Sequence, residues 1–475
     1  MTRLKIYLLI LVLLFIDSFS YAQEFTPEVS RFIKIGAPVI VLTDAKVMDG
    51  TGRPAKVHQT IVIRNGLISE TGTDKEVSIP AGAQVINCSG KTVIPGLVML
   101  HEHLFYTMFL DRYFNIAEMS STFAKMYLAG GATTIRTAGS IEPQTDLAIK
   151  RMIGEGKLAG PNMDVTAPYI ERPGYDIPAL NTIKDSAEAA ASVIFWANKG
   201  CTSFKMYMHA TRQDLQAVVR EAHKRGLKIT GHLCTLTYRE AAELGIDNLE
   251  HGFMASSDFD TAKKVNEFDF PAARQALQAL DVNSPKMKSL IQYLVSKKVA
   301  LTSTLPVFEP NTGREDILGG GKESLLPQVD ETVTARWKNS QHKDSASLVL
   351  FKKNMAWEKQ FYDAGGLLVA GTDPTGSGRT IAGYGSRREI ELLVDAGFTP
   401  VQAIKIATLN GAVYLGRNKE IGTVEKGKSA DLVLINGDLE TDIKNIRNTE
   451  IVFKKGIGFD SKAIFDSVKG KVGLN

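Results

Sequence analysis

The sequence predicts an α/β protein, a (β/α)8 TIM barrel with a small β-sandwich domain built from both chain ends. Two observations support this prediction. The middle of the chain alternates short apolar runs with helical stretches, as successive βα units do, whereas both ends contain short strands separated by turns. The chain has 475 residues. This length accommodates a barrel of about 250 residues together with insertions and a minor domain.

Eight apolar runs in the middle of the chain are predicted to be the parallel barrel strands. They are residues 92–100, 132–136, 162–167, 202–206, 228–231, 248–249, 300–305 and 367–371. Helical patterns, such as residues 211–225 and 400–415, supply the covering helices. Residues 91–416 are therefore assigned to the barrel. The long stretch around residues 254–364 is interpreted as an insertion near the barrel mouth, a candidate lid.

The two flanking regions, residues 23–90 and 417–475, share a β-rich pattern and are predicted to form one composite sandwich domain. In the first region, Asn65-Gly66 follows the apolar run at residues 60–64, and this dipeptide is a strong hairpin signal. In the second region, residues 430–435 are strongly β in character. Since the two regions are far apart in sequence, pairing them in one small domain is the simplest arrangement.

Residues 422–429 match the phosphate-loop pattern of glycine, four residues, Gly-Lys-Ser, but their context argues against nucleotide binding. Such a loop functions only when a helix opens directly after it, because the helix N-terminus aims backbone N–H groups at phosphate. Here the β run at residues 430–435 follows instead. A tight turn between strands is predicted, and no nucleotide is expected to bind.

The first 22 residues are predicted to be a signal peptide. Arg3 and Lys5 precede an apolar stretch at residues 6–16, and Ser20-Tyr21-Ala22 offers small residues at the cleavage positions. The apolar stretch is short for a membrane span, although an uncleaved anchor is the alternative. The mature protein is expected to start near Gln23, in the periplasm or outside the cell, without stable membrane insertion.

Composition excludes several classes of protein. With 44% hydrophobic and 23% charged residues, the chain is neither disordered nor fibrous. The net charge of +4 comes from interspersed charges, which lack the basic clusters typical of nucleic-acid binding. Three irregularly spaced cysteines, Cys88, Cys201 and Cys234, argue against a disulfide framework. A homo-oligomer is compatible with the sequence, which leaves the oligomeric state open.

The first barrel run ends in His101-Glu102-His103, the most informative functional signal. Residues two apart in a strand point to the same side, so His101 and His103 can bind one ion. Two half-buried structural imidazoles would give the same pattern. Further ligand types follow at the ends of later runs, namely Lys205, His232, His251 and Asp373. Imidazole and carboxylate groups at the carboxyl ends of barrel strands predict a metal site that suits Zn²⁺.

Lys205 is the unusual member of this set, because an ammonium group cannot bind a cation. It fits if its amine is carboxylated, since the carbamate is an anion that can bridge two metals. The alternative is an ordinary ion-paired lysine.

The motifs around these residues resemble the amidohydrolase superfamily over nearly the whole mature chain. They are similar to the imidazolonepropionase-like branch, which includes metal-dependent prolidases and related dipeptidases. The motifs are Thr134-Ile135-Arg136, the segment 222–232 ending in Thr230-Gly231-His232, Leu249-Glu250-His251-Gly252, Gly371-Thr372-Asp373, and residues 407–412. Many relatives have Asp after the arginine of the second strand, whereas Thr137 stands here, and no role is assigned to it.

The resemblance implies a binuclear site with two divalent metal ions, with Zn²⁺ expected. His101, His103 and Asp373 would bind the more buried ion, His232 and His251 would bind the other, and carboxylated Lys205 would bridge them. Asp373 would also be the catalytic base.

Two further candidates come from strand alternation beyond Lys205. Tyr207 lies one strand step further on the same face, where it could donate to a substrate carbonyl or simply pack in the barrel. His209 lies two residues further on and is a candidate for substrate contact.

The predicted function is an exported binuclear hydrolase that cleaves the C–N bond of an amide or peptide, with prolidase-type dipeptides or acylated amino acids as substrates. Two alternatives remain open. One is a mononuclear cyclic-amide hydrolase or deaminase of the imidazolonepropionase type, which would not need a bridging lysine. The other is a secreted binding protein on a catalytically decayed barrel.

Overall fold

The computed structural model describes residues 24–110, 113–174, 177, 180, 182–314, 321–339, 345–375 and 378–473. The predicted signal peptide lies outside these residues. Within the described ranges, no helix is both long and apolar enough to cross a membrane.

The nineteen strands of the described residues are numbered along the chain. They are β1 (Ile33–Ile35), β2 (Val39–Val47), β3 (Lys56–Arg64), β4 (Leu67–Thr73), β5 (Gln84–Asn87), β6 (Lys91–Pro95), β7 (Leu97–Glu102), β8 (Phe105–Leu110), β9 (Tyr113–Glu118), β10 (Ala132–Thr137), β11 (Asn162–Asp164), β12 (Ser203–Met206), β13 (Lys228–Gly231), β14 (Asn248–Glu250), β15 (Ala300–Ser303), β16 (Leu368–Ala370), β17 (Leu432–Asn436), β18 (Thr449–Lys454) and β19 (Ile457–Asp460).

The α-helices are numbered in the same way. They are α1 (Pro27–Ser30), α2 (Ser120–Ala129), α3 (Pro143–Gly154), α4 (Ser186–Lys199), α5 (Arg212–His223), α6 (Tyr238–Leu244), α7 (Phe270–Ala279), α8 (Pro285–Ser296), α9 (Leu305–Phe308), α10 (Pro327–Asn339), α11 (Ser345–Asp363), α12 (Tyr384–Asp395), α13 (Pro400–Lys405), α14 (Gly411–Tyr414) and α15 (Ser461–Ser467). Short 3₁₀ turns cover Glu309–Asn311, Gly321–Ser324 and Ile443–Asn448. A π-helical turn, Ile406–Asn410, joins α13 to α14, so the helix predicted over residues 400–415 is confirmed.

Local sequence explains where helices α5 and α6 begin. The Thr211 side chain accepts a hydrogen bond from the Asp214 backbone, and the Asp214 carboxylate accepts one from the Thr211 backbone. This reciprocal capping box satisfies two N–H groups that a helix start would otherwise leave unpaired. Thr237 and Glu240 form the same arrangement at the start of α6. Both helices follow strands that carry predicted ligands.

Strands from both ends of the chain form one nine-stranded sheet, in the order β1-β19-β18-β17-β6-β2-β3-β4, with β5 paired to β2. The predicted hairpin is confirmed: β3 and β4 are antiparallel, with Arg64 opposite Leu67. Asn65 and Gly66 have φ of 48° and 80°, as the turn requires. Residues 422–429 form turns and a bridge that lead into β17, so the predicted absence of a following helix is confirmed.

The strands that correspond to the eight predicted barrel runs form two parallel sheets, β11-β10-β7 and β12-β13-β14-β15-β16. An isolated parallel bridge between Thr166 and Ser203 connects the two sheets on one side. On the other side, the Asp373 backbone N–H donates to the His101 carbonyl at 2.9 Å. The chain therefore has an α/β fold, and its order of parallel strands is consistent with a (β/α)8 barrel.

The apolar run at residues 92–100 is divided between two sheets, whereas the sequence predicted one strand. β6 belongs to the nine-stranded sheet and β7 to the parallel one, and the chain passes from one to the other at Gly96. A Cβ at Gly96 would meet the Thr133 side chain at 2.2 Å. Only glycine therefore lets the backbone pass between the sheets so close to β10.

The region at residues 254–364 contains β15 and five helices, α7 to α11. Its helix α11 is well packed, because Trp357 is fully buried and Glu358 accepts a hydrogen bond from Ser303 of β15 at 2.7 Å. α11 therefore packs directly against the parallel strands. The lid remains a prediction.

Candidate metal centre

The six predicted ligands lie at the carboxyl ends of the parallel strands or just after them. They are His101 in β7, His103 after it, Lys205 in β12, His232 after β13, His251 after β14, and Asp373 three residues beyond β16. Five of the six are buried, with Asp373 the most accessible of these five at 7%, and His232 is partly exposed. Parallel strands present their carboxyl ends at one face, which explains why residues so far apart in sequence converge.

Short distances connect all six residues into one cluster. Asp373 lies at its centre, with Oδ1 at 3.3 Å from His103 Nε2 and 3.7 Å from His101 Nε2, and Oδ2 at 3.7 Å from His251 Nδ1. Lys205 Nζ is 3.3 Å from His101 Nε2. The centres of the His232 and His251 rings lie 4.5 Å apart.

Two of the histidines are held by acceptors at Nδ1. His101 Nδ1 donates to Glu250 Oε2 at 2.7 Å, and His103 Nδ1 donates to the Gly139 carbonyl at 3.1 Å. Because both acceptors are oxygens without a proton to give, each ring carries its proton on Nδ1, and its Nε2 is the atom that lies next to Lys205 or Asp373 in the cluster. His251 Nδ1 is hydrogen-bonded to Thr304 Oγ1 at 2.8 Å.

Glu250, which the sequence analysis gave no role, is the main support of His101. Its other oxygen accepts from Arg136 Nη2 at 2.7 Å and Asn248 Nδ2 at 3.1 Å, and also from Thr230 Oγ1. Burial by itself would raise the pKa of Glu250, but His101 and Arg136 hold that pKa well below its usual value. The available sequence signal was a carboxylate in the apolar strand before His251, which requires a partner when buried.

The imidazoles fit a metal. Burial lowers the pKa of His103 to about 4. Loss of hydration, followed by the charge of Lys205, lowers the pKa of the partly exposed His232 to about 3, so both rings are neutral at pH 7 and their lone pairs are available. One atom each from His101, His103 and Asp373 lie within 4.8 Å of one another, a spacing that three ligands of one ion can adopt. Two imidazoles and a carboxylate are a donor set that Zn²⁺ and similar ions accept.

Lys205 is buried in an aromatic environment, with Nζ 5.1 Å from the centre of the Tyr169 ring and 5.7 Å from that of Tyr207. Burial lowers the pKa of Lys205 to about 8, although the charges of Glu250 and Asp373 oppose this. A larger fraction of the amine is then uncharged and nucleophilic than in an exposed lysine.

The backbone is left-handed at two ligand positions. His251 has φ of 70° and Asp373 has φ of 50°, a conformation that residues other than glycine rarely adopt. Next to Asp373, a Cβ at Gly371 would meet His101 Cβ at 2.4 Å. Gly371 thus lets the end of β16 approach β7, and the strained turn then directs Asp373 toward the histidines.

The structure separates the two remaining candidates. The Tyr207 ring lies 5.3 Å from the His232 ring and 4.9 Å from that of Tyr169, which places it beside the cluster. The His209 backbone N–H donates to Glu171 at 2.8 Å, and its ring nitrogen lies 3.5 Å from the other Glu171 oxygen. The catalytic role of Tyr207 and the substrate contact of His209 both stay predictions.

Comparison with known proteins supports the resemblance to amidohydrolases that the motifs indicate. The model of the amidohydrolase family matches residues 92–458. Imidazolonepropionase of Geobacillus sp. (strain WCH70) is 23% identical over 400 residues, covering 79% of this chain and 83% of the relative. Imidazolonepropionase of Treponema denticola is 24% identical over 430 residues, covering 83% of this chain and 90% of the relative. A putative prolidase from Bifidobacterium longum has a similar fold, with a TM-score of 0.65 and 24% identity, covering 90% of this chain and 98% of that one.

The match of the family model extends over well more than half of the chain. The similarity to imidazolonepropionases covers most of both chains, and the prolidase shares the fold. The chain therefore belongs to the amidohydrolase family, is similar in sequence to imidazolonepropionases and in fold to a prolidase, and is a hydrolase that acts on carbon–nitrogen bonds.

Proposed function

We propose that this protein is an exported dipeptidase of the prolidase type that uses two divalent metal ions, expected to be Zn²⁺. The observation that carries the proposal is the position of Lys205 within 3.3 Å of His101 in the six-residue cluster. His101, His103 and Asp373 would hold one ion and His232 and His251 the other, and Lys205 would bridge them once carboxylated. The amine adds to CO₂, forming an N–C bond and releasing one proton.

Two bound cations would activate water and polarise the scissile carbonyl. The chain itself supplies the proton transfers. Burial opposes ionisation of Asp373, but the adjacent histidines hold its pKa well below the usual value, so the side chain is an ionised carboxylate with oxygens that can accept a proton. It would accept a proton from the attacking water and deliver it to the leaving nitrogen. Tyr207, beside His232, would donate from its hydroxyl to the substrate carbonyl oxygen.

A mononuclear hydrolase of a cyclic amide is the second candidate, and the curated imidazolonepropionases that match most of this chain favour it. Lys205 distinguishes the two candidates, because a single ion needs no bridging ligand. The decayed binding protein is disfavoured, since all six candidate ligands are present and lie in one cluster.

A substrate panel tests the choice directly. Dipeptides ending in proline, other dipeptides, N-acyl amino acids and imidazolone propionate should be assayed with Zn²⁺, Mn²⁺ and Co²⁺. The proposal expects turnover of a dipeptide or N-acyl amino acid. Turnover of imidazolone propionate alone would replace it with the second candidate.

Metal content gives a separate prediction. Freshly purified protein is expected to hold two divalent ions per chain, because six ligands exceed the four that a closed mononuclear site uses. Elemental analysis by mass spectrometry measures this ratio. One equivalent or less after metal supplementation would contradict the binuclear site.

Export is supported by the composition of the first 22 residues. N-terminal sequencing of protein recovered from the periplasm or medium is expected to start near Gln23. Cytoplasmic protein with an intact N-terminus would contradict it.

A further inference from the structure

Arg379 is a buried cation that has no counter-ion among the residues that the structure describes. Its exposed fraction is 5%, and its Nη1 atom has no hydrogen-bond partner. No ion pair is formed by Arg379 among the described residues, whereas the buried Arg136 pairs with Glu250 and Arg388 pairs with Glu309. Burial lowers the pKa of Arg379 to about 10, and the guanidinium still remains charged at pH 7. An unpaired buried charge is destabilising, so a feature of this kind requires an explanation.

The position of Arg379 connects it to the metal centre. It lies six residues after Asp373, in the segment that leaves β16 at the carboxyl end of the parallel strands. Residues at that end of such strands face the substrate in barrel enzymes. Arg379 thus belongs to a segment at the end of the parallel strands where barrel enzymes bind their substrates.

Contacts on both sides fix this segment next to the ligands. On one side, the Tyr106 hydroxyl donates to the Gly378 carbonyl at 2.6 Å, and the adjacent Phe105 ring lies 4.7 Å from the His103 ring. On the other side, the Thr380 hydroxyl donates to the Pro306 carbonyl at 3.0 Å. Helix α9, which contains Pro306, also places the Phe308 ring 5.7 Å from the His251 ring. Arg379 therefore stands between two elements that each touch a metal ligand.

We propose that Arg379 binds the free carboxylate of the substrate, so that the enzyme selects dipeptides and N-acyl amino acids over the corresponding carboxamides. This inference rests on the proposed function. A guanidinium offers a planar pair of N–H donors that match the two oxygens of a carboxylate. The substrate would then supply the anion that the protein does not, while its amide carbonyl lies at the metal centre. Arg379 would be a specificity-determining residue. After hydrolysis, the carboxylate bound by Arg379 would belong to the released C-terminal amino acid.

The test compares a dipeptide ending in proline with its C-terminal carboxamide, using wild type, Arg379→Gln and Arg379→Lys. Wild type is expected to prefer the carboxylate by on the order of 10²-fold in kcat/KM, as sites built for a polar group reject analogues that lack it. Arg379→Gln should lose that preference, mainly through KM, and hydrolyse the carboxamide within about threefold of wild type. Arg379→Lys should keep part of the preference, because it keeps the charge but not the paired donors.

Two outcomes would overturn the inference while leaving the dipeptidase proposal intact. One is equal hydrolysis of carboxylate and carboxamide by wild type. The other is an equal decrease of kcat/KM for both substrates in Arg379→Gln, at unchanged metal content and melting temperature. That result would indicate that Arg379 positions other residues and does not bind the carboxylate.

Measuring the binding of unreactive substrate analogues distinguishes failure of this inference from failure of the proposed function. If neither substrate is hydrolysed, the dipeptidase proposal fails, and calorimetry on the metal-loaded protein decides about Arg379. The probes are N-methylphosphonyl-L-proline, which contains phosphorus in place of the reactive carbonyl carbon, and its carboxamide. Weaker binding of the carboxylate probe alone to Arg379→Gln supports the assignment, and equal binding of both probes to wild type rejects it.

Discussion

Lys205→Ala is expected to reduce kcat to background. In the proposed site, carboxylated Lys205 would be the anion that bridges the two cations. The substitution removes this group from its position beside His101. Metal activation contributes several kcal/mol to such reactions, and each ~1.4 kcal/mol is a factor of ten in rate. We therefore expect a loss of about 10³-fold or more, together with loss of at least one metal equivalent. Rate and metal content should be measured on the same preparation.

A control is available in Lys454, a half-buried lysine. Its Nζ donates to the Gly160 carbonyl at 2.7 Å, and burial lowers its pKa to about 8, as for Lys205. Lys454→Ala should keep the metal content and kcat of wild type even if stability falls. Acetate or propionate should partly restore Lys205→Ala by supplying an external carboxylate. An unmodified Lys205 beside two fully occupied metals in a crystal structure would contradict the carbamate.

Asp373→Asn is expected to lower kcat by about 10²–10⁴-fold, the usual contribution of a general base. The substitution keeps the shape of the side chain but removes its ability to accept a proton. Metal affinity should fall as well, because the carboxylate oxygens lie within 3.7 Å of three histidines. The measurement is single-turnover rate at saturating metal, which separates chemistry from metal loss.

Asp146→Asn is the matched control for Asp373→Asn. Asp146 is also buried, but the described contact of its side chain is a hydrogen bond accepted from the Ser140 hydroxyl. Asp146→Asn should turn over at the wild-type rate. If Asp373→Asn held both metals and turned over as wild type does, proton transfer would have to be assigned elsewhere. Tyr207 and His209 would then be examined first.

The sequence predicted the positions of the parallel strands because each run is short, apolar and followed by a helical pattern. All eight runs overlap a strand of the parallel sheets, and all six predicted ligands lie at the ends of these strands or just after them. Their positions could be predicted because each depends on local position along one strand. Barrel geometry then brings distant strand ends together without further information from the sequence.

Three features depended on tertiary contacts and were not predicted. Glu250 supports His101 across 149 positions of the sequence, so no local pattern reveals it. The division at Gly96 follows from the side chain of Thr133, which lies on another strand. Arg379 could not be singled out from the sequence, because it is distinguished only by burial and by the lack of a partner for Nη1 among the described residues.

The central place of β17 in the nine-stranded sheet has a consequence for folding kinetics. β17 lies between β6 and β18, and a hydrogen bond from Thr92 to Gly437 spans 345 positions of the sequence. During synthesis, β6 therefore leaves the ribosome long before its partner exists, and its exposed edge stays unpaired for that interval. Contacts of such long range make folding slow. Because β6 continues through Gly96 into β7, the strand that carries His101 becomes fully anchored only when the last part of the chain has joined the sheet.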